Sequence, residues 1–173
     1  MNGPIKQINN VYGYCRVSTQ EQAQNGISLE TQKELIVNFI KEKYNREVDE
    51  WFIDDGVSGT VPILERNRCK AMTDVIDRHD VIVATRIDRL SRSAADMLKT
   101  IPVLEETGIT LYLCEQFGDV PVVYPKSKDE CGLRSKFDMN EMVNKIMLMV
   151  LSAVAEIEHG STVDKFKEGK IAW

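Results

Sequence analysis

Four short runs of β-forming residues recur through residues 11–114, each separated from the next by a stretch with helical signals. The runs are residues 11–17 (VYGYCRV), 48–53 (VDEWFI), 80–84 (DVIVA) and 109–114 (ITLYLC). The third is almost continuously apolar, as strands covered on both faces are. Between the first two, Ser28 is placed to cap a helix that carries Leu29, Leu35, Ile36, Phe39 and Ile40 on one face. Residues 65–78 read as a second helix, and residues 93–107 as a third that Gly108 stops. Such an alternation predicts an α/β fold, a mainly parallel four- to five-stranded sheet flanked by helices.

The region beyond the last run differs. Residues 117–137 are polar, with Pro121, Pro125 and Gly132, and are longer than most connections in compact domains. Asp138 with Glu141 resembles a capping box. The segment that follows, residues 142–157 (MVNKIMLMVLSAVAEI), is apolar nearly all round from residue 146 to 155, apart from Ser152. One small sheet covers one face of a helix, so this helix needs a second partner. The expectation is a long C-terminal oligomerisation helix, with residues 1–138 as the α/β domain and residues 139–173 as that helix and the start of a linker. Burial within a single domain is the competing reading.

Composition excludes several classes. With 173 residues the chain is long enough for one domain with its own core. Its net charge of −5 argues against a protein that binds nucleic acid over its whole surface, so a DNA role must rest on a local basic patch or a separate module. Cys15, Cys69, Cys114 and Cys131 form no C-x-x-C pair, which argues against a zinc ribbon or a thioredoxin-type motif. Cys15 and Cys114 read as buried thiols. No apolar run is long enough to span a membrane, and residues 1–10 lack the layout of a secretory signal, so the expected location is cytoplasmic.

The candidate chemistry lies where strands end. Arg86, Arg89 and Arg92 are spaced three apart directly after the run 80–84. Arg16 and Ser18 leave the first run on one side of its alternation. In a parallel sheet these two strand ends share an edge, and ligands bind there. A hydroxyl among guanidinium groups suits attack on a phosphodiester, because fixed cations stabilise the charge that builds on the non-bridging oxygens. The plainer readings are a turn capped by Ser18-Thr19 and a solvated basic helix start. His79 and His159 are the two histidines, His79 reading as the surface end of a helix, and no G-x-S-x-G elbow accompanies them. Asp54, Asp55 and Asp88 suggest a magnesium site only weakly; Asp88 orienting an arginine, and Asp54-Asp55 opening a turn, is the simpler reading. No Gly-rich phosphate loop is present.

Four blocks in order resemble the catalytic domain of the serine recombinases, the resolvase/invertase family. They are residues 14–19 (YCRVST), residues 54–60 (DDGVSGT) with Leu64-Glu65-Arg66, residues 87–92 (IDRLSR) and residues 151–158 (LSAVAEIE). The resemblance covers roughly residues 11–160. It implies that Ser18 attacks the scissile phosphate of double-stranded DNA and forms a 5′-phosphoserine link, releasing a 3′-hydroxyl. It implies that Arg16, Arg66, Arg89 and Arg92 bind the phosphate and stabilise its transition state, and that Asp88 orients these arginines or handles the proton. It places Gln22 and Gln32 near the substrate. The serine ester conserves the bond energy, so neither metal nor other cofactor is implied. The expected assembly is a homodimer that forms a tetramer on DNA.

The chain departs from the family at His159, where an arginine usually follows the glutamate; a histidine there carries charge only part of the time near neutral pH. No second globular unit follows residue 160, so a DNA-binding module is expected to come from elsewhere. Two further readings stay open: a non-catalytic dimerisation or regulatory module that keeps the fold, for which His159 speaks, and an unrelated α/β phosphate-binding or signalling domain. Resolvase, invertase, integrase and transposase are not separated by these residues.

Overall fold

A computed structural model of the protein describes residues 8–19, 28–123 and 150. The elements, in chain order, are β1 (Val11–Ser18), α1 (Leu29–Tyr44), β2 (Glu50–Gly56), a 3-10 turn (Ile63–Glu65), α2 (Asn67–Val75), β3 (Val81–Ala84), the one-turn α3 (Ile87–Leu90), α4 (Ala94–Thr107), β4 (Thr110–Leu113) and β5 (Pro121–Val123). One five-stranded sheet has the order β2-β1-β3-β4-β5. The first four strands run parallel, and β5 closes the edge antiparallel to β4. Pro121 is tolerated there because a first residue on an edge strand need not donate to a ladder.

Strand alternation sorts the core into two layers. Tyr12, Tyr14, Phe52, Ile82, Ala84, Leu111 and Leu113 face Cys69 and Met72 of α2 and Met97, Ile101 and Leu104 of α4. Val11, Cys15, Val81, Val83 and Tyr112 face Ile36 and Ile40 of α1. Full burial of one such aliphatic side chain contributes about 2 kcal/mol, which fixes the strand register against a one-residue slip. Gly13 is required by close approach: a Cβ there would lie 2.4 Å from the Trp51 ring.

The helix ends follow the sequence. Ser28 accepts from the Thr31 amide and Ser93 from the Asp96 amide, while Gly108 closes α4 with φ of 78°. Several boundaries differ from expectation. Leu35 is 37% exposed rather than part of the buried face of α1, which Gln32, Ile36 and Ile40 form. The helix expected over 65–78 begins only at Asn67, because Arg66 is extended (φ −73°, ψ 138°), and ends at Val75 because Ile76 is extended too. His79 therefore ends no helix; it takes a left-handed φ of 72° in the turn into β3. Asp54 and Asp55 lie inside β2 rather than opening a turn. The basic loop 86–92 contains α3, and the polar stretch 117–137 contains β5. The rest of that stretch, and the C-terminal helix with the domain division at 138, lie outside the described residues apart from Val150.

Candidate active site at the strand ends

The chain winds from β1 to β2 in one direction and returns past β1 to β3, so the sheet order reverses between β1 and β3. Beyond such a reversal the connections diverge and leave a crevice at the carboxyl ends of the strands. Ser18 ends β1 there, opposite Gly56, and the Arg86–Arg92 loop begins there, two residues after β3. The edge expected from the sequence is thus formed.

The ladder between β1 and β3 stops at Gly13, leaving the next residues of β1 without a strand on that side. Gln32 of α1 takes its place: the Arg16 amide donates to Gln32 Oε1 at 3.3 Å, and Gln32 Nε2 donates to the Arg16 carbonyl at 3.2 Å. Arg89 Nη1 donates to the same carbonyl at 3.2 Å. Gln32, expected beside the substrate, is therefore buried with both ends of its amide on the Arg16 backbone.

Arg16 is fully buried and crosses the site. Its Nη1 donates to the Val57 carbonyl at 2.8 Å and its Nη2 to the Asp88 carbonyl at 3.1 Å. The Asp88 carboxylate is shared between Arg89 Nη2 at 2.7 Å and Arg86 Nε at 3.3 Å. Asp88 thus orients arginines directly. The Arg92 amide donates to the Gly59 carbonyl at 3.1 Å, and the Arg92 stem lies so close to Gly59 that a Cβ there would sit 2.9 Å from it. A glycine at 59 is what lets the 57–61 loop and the arginine loop touch.

A second layer escaped the sequence reading. Tyr14 Oη donates to Asp54 Oδ2 at 2.9 Å and accepts from Arg66 Nη1 at 2.9 Å. Asp54 Oδ1 also accepts from the Arg68 amide in the first turn of α2. Arg66, 2% exposed, donates further to the carbonyls of Val61, Arg89 and Gly59. Burial pushes the Tyr14 hydroxyl well above its ordinary range, which the nearby Arg66 opposes, so it works as a neutral hydrogen-bonding group. The available signal was parity: Tyr14 alternates in phase with Arg16 and Ser18, and a tyrosine facing a core needs a partner for its hydroxyl.

Arg16 and Arg66 donate to carbonyl oxygens, which orient a guanidinium without cancelling its charge. With Arg89 and Arg92 they concentrate positive charge at the end of β1, in a chain whose net charge is −5. Such a preorganised cluster suits a phosphate whose charge grows during reaction. Ser18, Arg16, Arg66, Asp88, Arg89 and Arg92 all belong to this edge, whereas Gln22 and His159 lie outside the described residues. Among the described residues no group of three or more His, Cys, Asp or Glu is placed to hold a metal ion, and Asp54 is held by Tyr14 and Arg68. Also among these residues, no helix is long and apolar enough to cross a membrane.

Comparison with known proteins agrees with this geometry. The transposon Tn2501 resolvase of Escherichia coli is 26% identical over 170 residues, covering 94% of this chain and 70% of the resolvase. The serine recombinase PinR of Escherichia coli strain K12 is 25% identical over 170 residues, covering 94% of this chain and 69% of the other. Among solved structures, the N-terminal catalytic domain of TP901-1 integrase superposes with a TM-score of 0.54 at 25% identity, covering 89% of this chain and 99% of that domain. The sequence profile described as "Resolvase, N terminal domain" matches residues 11–172, and the chain belongs to that family.

Proposed function

We propose that this chain is the catalytic domain of a serine site-specific recombinase, which cuts and rejoins double-stranded DNA through Ser18. The observation that carries the reading is the bonding of the arginine loop after β3 to Arg16, two residues before Ser18 ends β1, at the reversal of the sheet. In the step proposed, Ser18 Oγ attacks phosphorus and the bond to the 3′ oxygen breaks. The serine proton leaves, and the departing 3′ oxygen gains one to become a hydroxyl. The DNA 5′ phosphate stays esterified to Ser18, and reversal with a new 3′-hydroxyl reseals the strand. Arg89 and Arg92 bind the non-bridging oxygens, and Asp88 holds Arg89. Arg16, whose two terminal nitrogens are held by the Val57 and Asp88 carbonyls, lends its charge from behind them, while Arg66 and Gln32, with their polar atoms turned to backbone and Tyr14, act by positioning. Gln22 and His159 are assigned to DNA contact on the resemblance alone. A homodimer that forms a tetramer on DNA through residues 139–173 completes the reading.

The test is covalent capture. The chain is joined at Trp173 to a zinc-finger array of known specificity and given a nicked duplex flanked by array sites, with no divalent metal added beyond the zinc that the array holds. A 5′-phosphoserine at Ser18, found by peptide mass spectrometry and absent in Ser18→Ala, is the expected outcome. No adduct from this chain or from His159→Arg would overturn the reading in favour of a non-catalytic module that keeps the fold.

A further inference from the structure

The first turn of α3 holds Asp88 and Arg89, yet its N-cap residue is Arg86, whose side chain makes no capping bond. A guanidinium only donates, so it cannot accept from the orphan amides at a helix start. The acceptor comes instead from the turn after β4: the Ile87 amide donates to Gln116 Oε1 at 2.7 Å, across 29 residues of sequence. The same turn continues the pairing of β3 and β4 beyond both strands. The Cys114 amide donates to the Ala84 carbonyl and the Glu115 amide to the Thr85 carbonyl, each at 3.0 Å. Glu115 Oε1 lies 3.7 Å from Arg86 Nη1, drawing on the same arginine that competes with Arg89 for Asp88. The far end of the turn is tied to α1 by the ion pair of Lys43 with Asp119 at 2.8 Å.

We propose that Gln116 is a positioning residue for strand cleavage: by accepting from the Ile87 amide it sets the pose of the Asp88–Arg89 turn on the side opposite Arg16. This rests on the recombinase reading above. Arg16 Nη2 holds the Asp88 carbonyl from the sheet side, and Gln116 holds the start of the same turn from the β4 side. Without Gln116 the turn keeps its anchors from Arg16 and Arg66 but loses the one at its start, and Arg89 can shift relative to the Arg16 carbonyl. A misplacement of about 1 Å in such a group costs on the order of a hundredfold in rate.

The test uses the zinc-finger fusion of the full chain with Gln116→Met, which keeps the stem and removes the acceptor, and Gln116→Glu, which keeps an acceptor. Single-turnover adduct formation and DNA affinity are measured separately, at a temperature where thermal melts show all three proteins folded. The expected result is a rate about tenfold or more below the unsubstituted chain in Gln116→Met, unchanged DNA affinity, and recovery of most of the rate in Gln116→Glu. Amide exchange at Ile87 reads the contact without catalysis and is expected to quicken in Gln116→Met only. Equal rates in the unsubstituted chain and Gln116→Met, an equal loss in both variants, or unchanged Ile87 protection would overturn the proposal while leaving the recombinase reading intact. If neither the unsubstituted chain nor His159→Arg forms an adduct, that reading falls and this proposal with it.

Discussion

The two ends of the parallel sheet solve opposite problems. Where parallel strands begin, amide groups point out without partners; where they end, carbonyl groups do. At the starting end the chain supplies carboxylates. Asp80 accepts from the Asn10 amide and side chain and from the Asp77 amide, and Asp49 accepts from the Val11 amide. At the finishing end it supplies guanidinium groups: Arg16, Arg66 and Arg89 donate to the carbonyls of Val57, Asp88, Gly59, Val61, Arg89 and Arg16. The backbone groups named are satisfied by carboxylates at one end and by guanidinium groups at the other, although Arg46 pairs with Asp49 at the first and Asp88 pairs with Arg89 at the second. The cationic end is thereby prepared for phosphate, and the charges that would bind it are held by the bonds that finish the fold.

The contrast can be broken by substitution. The largest expected effect is from Arg66→Met, which removes one donor from the Tyr14 hydroxyl and one from each of three carbonyls; unfolding in urea should show a loss of about 3–5 kcal/mol, and adduct formation should be lost even where the protein is folded. Asp80→Ala removes an acceptor from three donors at the other end and should cost about 2 kcal/mol in the same measurement. At a temperature where it is folded, its adduct rate should match that of the unsubstituted chain. Equal slowing by both substitutions would show that the ends are not separable.

Buried thiols give a finer probe. Burial pushes Cys15 and Cys69 up to about 12 from 9.0, with Lys33 and Arg66 respectively acting against it. A thiol with a raised folded value contributes its full share of stability below its unfolded value and loses it as pH rises through the folded one. Urea midpoints should therefore be level up to about pH 9 and fall towards pH 12. The smallest effect expected is local: at matched global stability, Cys69 should be alkylated a few-fold faster in Arg66→Met than in Asp80→Ala, since Arg66 immediately precedes α2, where Cys69 lies. Equal rates would mean that the two ends open together.

Much of this was legible in residue order. Alternation in residues 11–17, the apolar run 80–84, the cap at Ser28 and the stop at Gly108 are local signals, and each formed the element it announced. Arg16, Ser18 and the 86–92 arginines were legible because strand ends in a parallel sheet share an edge. Gln116 was not, since its meaning is a bond to an amide 29 residues away. Asp54 was misread as the start of a turn because its acidic neighbour and Gly56 mimic turn composition, although β2 continues through all three.

The sequence by itself determined the α/β class, the family blocks and the kinds of side chain at the strand ends, because periodicity and capping act over a few residues. Tertiary structure alone decided the work each side chain does. It sorted the polar residues into those facing the crevice and those, such as Gln32 and Arg66, whose bonds go to the backbone that forms it. For Gln32 that work is set by the Arg16 amide and carbonyl left over when β1 outruns β3, and for Arg66 by the carbonyls of Gly59, Val61 and Arg89 brought together by the loops; both sets of partners exist only once the strands are paired.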